Sequence, residues 1–225
     1  MLYIYSGDVP ELDKNLKAQI GTRARLTVIP TCVNALSDAK YITSHLQRFE
    51  IKAKTLPRNA CFDRDLFATH ITKSAAVYLC GGNTYEFLQF ANDMHLFPLL
   101  RAFEENGGVI AAESAGSIIL SHDIATAAIP SSCPDENLIG HSLLNGMGRI
   151  PFHISPHFNP DHKYAQTDRN ELQTLANISK RQVLLLEDGE GFIMDEEEII
   201  YFKGQQKRLQ PSLAKHRIKE HEVTL

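Results

Sequence analysis

Val109-Ile110-Ala111-Ala112-Glu113-Ser114-Ala115-Gly116-Ser117 is the stretch that decides how this chain folds. The turn Gly107-Gly108 leads into a short apolar run of the kind that forms a buried strand. The strand stops at Glu113-Ser114, and a helical stretch over Ser117 to Ser121 follows. The same alternation of strand and helix recurs upstream. Leu2–Tyr5 and Leu26–Ile29 read as strands, and an amphipathic helix is expected over about Leu36 to Phe49, with Ile42, Leu46 and Phe49 on one face. A strand over Ile51 to Leu56 precedes a helix near Asp63 to His70, with Asp63 as its N-cap. Ala75–Leu79 is a further buried strand, followed by helices over Tyr85 to Asn92 and Pro98 to Glu105. Strands alternating with helices imply an α/β fold with a mostly parallel central sheet covered on both faces.

Downstream, Ser121 to Gly148 contains Pro130 and Pro134 and reads as mostly loop. Phe152-His153-Ile154 reads as a strand, Asp168 to Asn177 as a helix, and Val183–Leu186 as a central strand. Gly191–Met194 and Ile199–Phe202 form a hairpin pattern around the acidic turn Asp195–Glu198. The basic residues between Lys207 and Lys219 interleave with acids at Glu220 and Glu222, the pattern of a solvated tail or a last helix. No repeat or linker divides the 225 residues, so a single domain over 1–225 is expected.

Composition narrows the function classes. Hydrophobic content of 43%, charged content of 22% and a net charge of -4 describe an ordinary globular protein with no field favouring nucleic acid or membrane. The N-terminus lacks the basic and apolar regions of a signal peptide, and no apolar run has the length of a membrane helix. Cys32, Cys61, Cys80 and Cys133 are scattered, as free thiols in a reducing compartment would be. A cytoplasmic location is therefore expected, with a homo-oligomer left open.

Three motifs carry the chemistry. Ala112-Glu113-Ser114-Ala115-Gly116, between strand and helix, has the setting of a nucleophile elbow. Small neighbours allow the tight turn, although Ala112 departs from the glycine of the usual G-x-S-x-G pattern. The alternative is a serine that merely caps a helix. Gly81-Gly82-Asn83-Thr84 also ends a strand and opens a helix, and paired glycines let backbone N–H groups face a bound oxygen. Asn83 and Thr84 are candidates for substrate binding there; the alternative is that one of them only caps the helix. In Ser155-Pro156-His157-Phe158, a histidine on a proline-stiffened loop at a strand end suits a general base for an otherwise unreactive serine. His153, His157 and His162 invite a metal reading, but Pro156 and Pro160 block the helix that would align the first two. No metal or other cofactor is expected.

Tyr78–Thr84, Glu113–Ser117 and Pro156–Phe158, in that order, resemble the aspartyl dipeptidase (peptidase E) and cyanophycinase family of serine peptidases. The resemblance runs from the first strand to about Met194 and implies a three-layer αβα sandwich related to class I glutamine amidotransferases. It implies Ser114 as nucleophile, His157 as base, and oxyanion donors from Gly81, Gly82 and the amide of Ala115. Cyanophycinases carry a glutamine before the histidine and several arginines after it. Pro156 and the single Arg169 are closer to the dipeptidase branch, where Arg169 would hold the side chain of a substrate's N-terminal aspartate. The dipeptidase pattern also expects an acid beyond the serine, where this chain reads Ala127-Ala128-Ile129-Pro130. Other members resemble one another in drawing the acid from the loop after the late strand, here Glu187-Asp188-Gly189-Glu190. That ranks Asp188 first, then Glu187, with Asp135 third. Glu113 is a candidate for the substrate α-amine only through its proximity to Ser114.

The implied activity is hydrolysis of small peptides with N-terminal aspartate, a small peptide being the expected partner. Two competitors stand beside it: an inactive binding module on the same fold, and another serine hydrolase such as an esterase. An amidotransferase fits poorly, because the elbow residue is a serine.

Overall fold

The computed structural model describes residues 1–21, 24–30, 47–48, 52–140, 144–195, 198–202, 207–209 and 218–219. Its centre is a mostly parallel sheet. Strands β1 (Leu2–Ser6), β2 (Arg25–Ile29), β3 (Lys52–Thr55), β4 (Ala76–Leu79) and β5 (Val109–Glu113) lie parallel in the order β1-β5-β4-β2-β3. Strands β8 (Glu190–Met194) and β9 (Ile199–Phe202) extend the β1 edge as an antiparallel hairpin.

Residue alternation along these strands divides the core into two layers. Leu2, Ile4, Val77, Leu79, Ile110 and Ala112 face helices α2 (Arg64–Thr72), α3 (Thr84–Asp93) and α4 (Leu96–Glu105). Tyr3, Tyr5, Leu26, Val28, Tyr78 and Ala111 face the opposite way, against Leu12 and Leu16 of α1 (Pro10–Ile20). Helix α1 is not evident in the sequence, because only Leu12, Asp13 and Leu16 are buried on its face; a proline in its first turn supports its start. Asp63 caps α2, accepting from the N–H groups of Asp65 and Leu66 at 3.0 Å. The expected helix over Leu36 to Phe49 lies outside the described residues except at its end.

A second, three-stranded sheet is made of β6 (His153–Ser155), β7 (Val183–Leu185) and β10 (Lys207–Leu209). Helix α6 (Ala165–Ser179) packs on it through Leu172 and Ala176. This corrects two expectations. Val183–Leu185 is central to the small sheet and has no place in the large one. The described parts of the C-terminal stretch are strands, with β10 pairing to β7 and β11 (Ile218–Lys219) to β9. Charge pattern alone misses this, because an unpaired strand edge offers backbone partners whatever the side chains are.

Register positions the site. Tyr5 lies opposite Glu113 and Leu79 opposite Ala112, so Ser6, Cys80 and Ser114 share the rim at the carboxyl ends of the strands. In parallel sheets this is the end where sites form. The short helix α5 (Ala115–Ile118) leaves that rim so closely that a Cβ on Gly116 would stand 2.4 Å from the carbonyl oxygen of Leu79. Gly116→Ala is accordingly expected to destabilise the fold by about 1–3 kcal/mol, the usual cost of overpacking, measured as a lower midpoint in urea unfolding.

Candidate active site

Ser114 has φ 52° and ψ -117°, a conformation that non-glycine residues rarely adopt. Its N–H donates to Tyr5 across the sheet at 3.2 Å, and its carbonyl accepts from Ser117 and Ile118 as α5 begins. The strand-to-helix turn thereby lifts the hydroxyl off the top of β5, as in a nucleophile elbow.

His157 meets it from the loop after β6. Its Nε2 is 2.9 Å from Ser114 Oγ, and its Nδ1 is 2.5 Å from Asp188 Oδ1. Of the three acids considered, Asp188 is the one joined to the imidazole. Asp135 instead accepts the N–H of Thr84 at 2.8 Å, and the Glu187 N–H donates to the Glu190 carboxylate at 2.8 Å. The relay is open to solvent, with 46% of the His157 side chain and 74% of the Asp188 side chain exposed.

One residue with no sequence signal holds these parts together. Ser6, fully buried at the end of β1, accepts the His157 N–H on its hydroxyl oxygen at 2.8 Å and donates to the Leu186 carbonyl at 3.3 Å. Its own carbonyl accepts from Gly189 at 2.8 Å.

A cleft of roughly 350 Å³ opens beside Ser114 and His157, and Gly82 and Thr84 line it. Gly82 is exposed at φ 134°, while Gly81 is buried behind it. Ala115 opens α5, so its N–H is among the first-turn donors that no intrahelical carbonyl takes. Asn83 does not line the cleft; its Oδ1 caps α3 by accepting from Tyr85 and Glu86 at 3.0 and 3.1 Å. A larger cleft of about 500 Å³ sits at the other end of the strands, around Ala75 and Val109, away from these groups.

Arg169 is not among the cleft-lining residues; its guanidinium lies 5.1 Å over the ring of Phe158, which is. Asp168, its neighbour, does line the cleft. Glu113 faces the α1 layer, bonded to the Tyr78 hydroxyl and to Arg48 at 3.1 Å. Burial pushes the Tyr78 hydroxyl well above its usual range, with Glu113 adding to the effect, so Tyr78 stays a donor. Burial likewise pushes the Cys80 thiol up, which disfavours a thiolate nucleophile there. Among the described residues, no group of three or more His, Cys, Asp or Glu side chains is arranged to hold a metal, and no helix is long and apolar enough to cross a membrane.

A serine raised on a strained elbow, a histidine on its hydroxyl and an acid on the far ring nitrogen form the arrangement that serine hydrolases use. The chain belongs to Peptidase family S51, a family of serine peptidases, whose sequence model matches residues 3–202. A crystal structure of a protein provisionally described as peptidase E, from Listeria monocytogenes EGD-e, is similar over 91% of this chain and 98% of its own, with 18% identity and a TM-score of 0.72. A peptidase from an acI-B1 Actinobacterium is similar over 93% of each chain, with 20% identity and a TM-score of 0.58. At such identities the likeness concerns the fold. No curated protein sequence matches this chain.

Asp188→Asn leaves a ring partner but no charge, and kcat is expected to fall by about 10²–10⁴ with KM little changed in steady-state assays. Burial pushes Glu190 up to about 7, above its ordinary value. The folded chain then holds this proton more tightly than the unfolded chain, so stability falls as pH rises from about 4.5 to about 7. In Glu190→Gln that decline should shrink, as read from urea midpoints at pH 5 and pH 7.5.

Proposed function

We propose that this protein is a serine-type dipeptidase, hydrolysing small peptides with N-terminal aspartate through an acyl-enzyme. The observation that carries the reading is the continuous relay from Ser114 Oγ through both nitrogens of His157 to Asp188, at the mouth of a cleft. In this reading His157 Nε2 takes the serine proton as Oγ attacks the peptide carbonyl, then gives it to the leaving amine. Asp188 fixes the ring with Nδ1–H toward itself and stabilises the imidazolium. The N–H groups of Gly82 and Ala115, with Gly81 behind them, stabilise the oxyanion, and losing one such donor typically costs about 10²–10³ in turnover. Water then attacks the acyl-enzyme with His157 as base. No metal or cofactor takes part.

The preference for aspartate is supported by the resemblance to the dipeptidase branch. One observation favours a different preference on the same chemistry: among the described residues Asp135 and Asp168 line the cleft and no lysine or arginine does, whereas Arg169 lies over the ring of Phe158. A neutral or basic N-terminal residue is therefore the second reading.

Hydrolysis of Asp-Leu, Ala-Leu, Lys-Leu and a simple ester by wild type and Ser114→Ala tests both. Peptide cleavage that Ser114→Ala abolishes is the expected result, with Asp-Leu the best substrate. Faster cleavage of Ala-Leu or Lys-Leu favours the second reading. Turnover of the ester alone overturns the peptidase.

A further inference from the structure

Among the described residues, three buried polar atoms without a hydrogen-bond partner belong to side chains that line one cleft: Asp168 Oδ1, Thr84 Oγ1 and Thr126 Oγ1. Asp168 is 6% exposed, Thr84 0% and Thr126 7%, so bulk water does not satisfy these atoms. His162 Nδ1 lies 3.9 Å from Asp168 Oδ2, beyond hydrogen-bond distance. A fourth acceptor-bearing group, Asp135, is fixed at the same cleft by the Thr84 N–H. Leaving a buried carboxylate oxygen without a donor is costly, and such groups call for an explanation.

The set has a consistent chemical sense. Two carboxylates and two hydroxyls present acceptors, and among the described residues no lysine or arginine lines the cleft. The complement is a cation with several N–H donors. We infer that the cleft beside Ser114 is a cation subsite, in which Asp168, assisted by Thr84, Thr126 and Asp135, receives an ammonium or guanidinium group of the substrate. This rests on the peptidase reading but not on a preference for aspartate. Two parts of a peptide carry that chemistry: the α-ammonium of the N-terminal residue and a basic side chain. An α-ammonium held there fixes the first residue against Ser114 and excludes the interior of longer chains.

The test separates these sources. For wild type and Asp168→Asn, kcat/KM is measured on Ala-Leu against propionyl-Leu, which lacks only the amine, and on Lys-Leu against norleucyl-Leu, which lacks only the side-chain cation. Wild type is expected to prefer the cationic member of one pair by on the order of 10–100-fold, the range of a charge-assisted hydrogen bond. Asp168→Asn should erase that preference, chiefly through KM. A lost preference in the first pair assigns the α-ammonium, and in the second a basic side chain. Equal rates within both pairs in wild type, or preferences that survive Asp168→Asn, overturn the inference. Thr126→Val, which removes a single hydroxyl, should weaken the same preference and serves if Asp168→Asn fails to fold. Calorimetric binding of the four compounds to Ser114→Ala separates the two layers. Binding that discriminates by charge without any turnover in wild type would sink the peptidase and keep the subsite; turnover without charge discrimination would do the reverse.

Discussion

The site depends on one buried hydroxyl. Ser6 ends β1, and through its side chain and its carbonyl it touches the loop of His157, the Leu186 backbone and the loop of Asp188. His157 lies on a segment that leaves the small sheet, Asp188 on the loop that crosses from β7 of the small sheet to β8 of the large one, and Ser114 leaves the large one. Pairing of β8 with β1, Ser6 opposite Glu190, holds the Asp188 loop beside the rim. The Ser6 hydroxyl ties the His157 loop to the same rim, since Ser6 belongs to the strand beside β5. Without it the His157 N–H would lose its acceptor inside the protein, a loss of about 1–3 kcal/mol placed where geometry matters most.

Strain is concentrated at the same point. Ser114 and His157 both have positive φ without being glycine. Residues held in such conformations cost on the order of 1–3 kcal/mol each and persist only where surrounding contacts over-determine them. For Ser114 those contacts are the Tyr5 carbonyl and the first turn of α5; for His157 they are Ser6 on its own N–H and Leu186 on the N–H of Phe158. The hydrogen bond between His157 and Asp188 is too open to solvent to serve as the anchor, since exposed ion pairs contribute little to stability. The backbone positions the histidine, and the Asp188 carboxylate meets its Nδ1.

How much of this was legible in the sequence follows from where each signal resides. The parallel sheet was readable because its buried strands are continuous apolar runs, and the elbow because close packing demands small residues such as Gly116 against Leu79. Ser114 and His157 stood out through their local settings, and Asp188 only through the family resemblance, which points to the loop after the late strand. Ser6 left no trace, since a serine after an apolar run is ordinary and its three partners are distant in sequence. Asn83 could be read either as ligand or as cap; its Oδ1 caps α3 and its Nδ2 donates to the Glu136 carbonyl. Between Asp168 and Arg169, adjacent positions on one helix differ by about 100° in direction, which sequence spacing cannot resolve without knowing which face meets the cleft. The structure turns Asp168 inward and lays Arg169 over Phe158.

That difference in facing gives two buried carboxylates opposite circumstances. Glu113 precedes Ser114 yet points to the α1 layer, where Arg48 bonds to it and to Asp13 and also lies 4.9 Å over the Tyr5 ring. Its charge is met by a guanidinium and a phenol, so it braces the strand that carries Ser114. Asp168 is as deeply buried but lies on the cleft side, with one oxygen unmet. A fold that supplies a partner for one buried acid and leaves the other short of donors has divided their work. The first acid is satisfied by the protein itself, and in the proposed subsite the second meets its donor on the substrate.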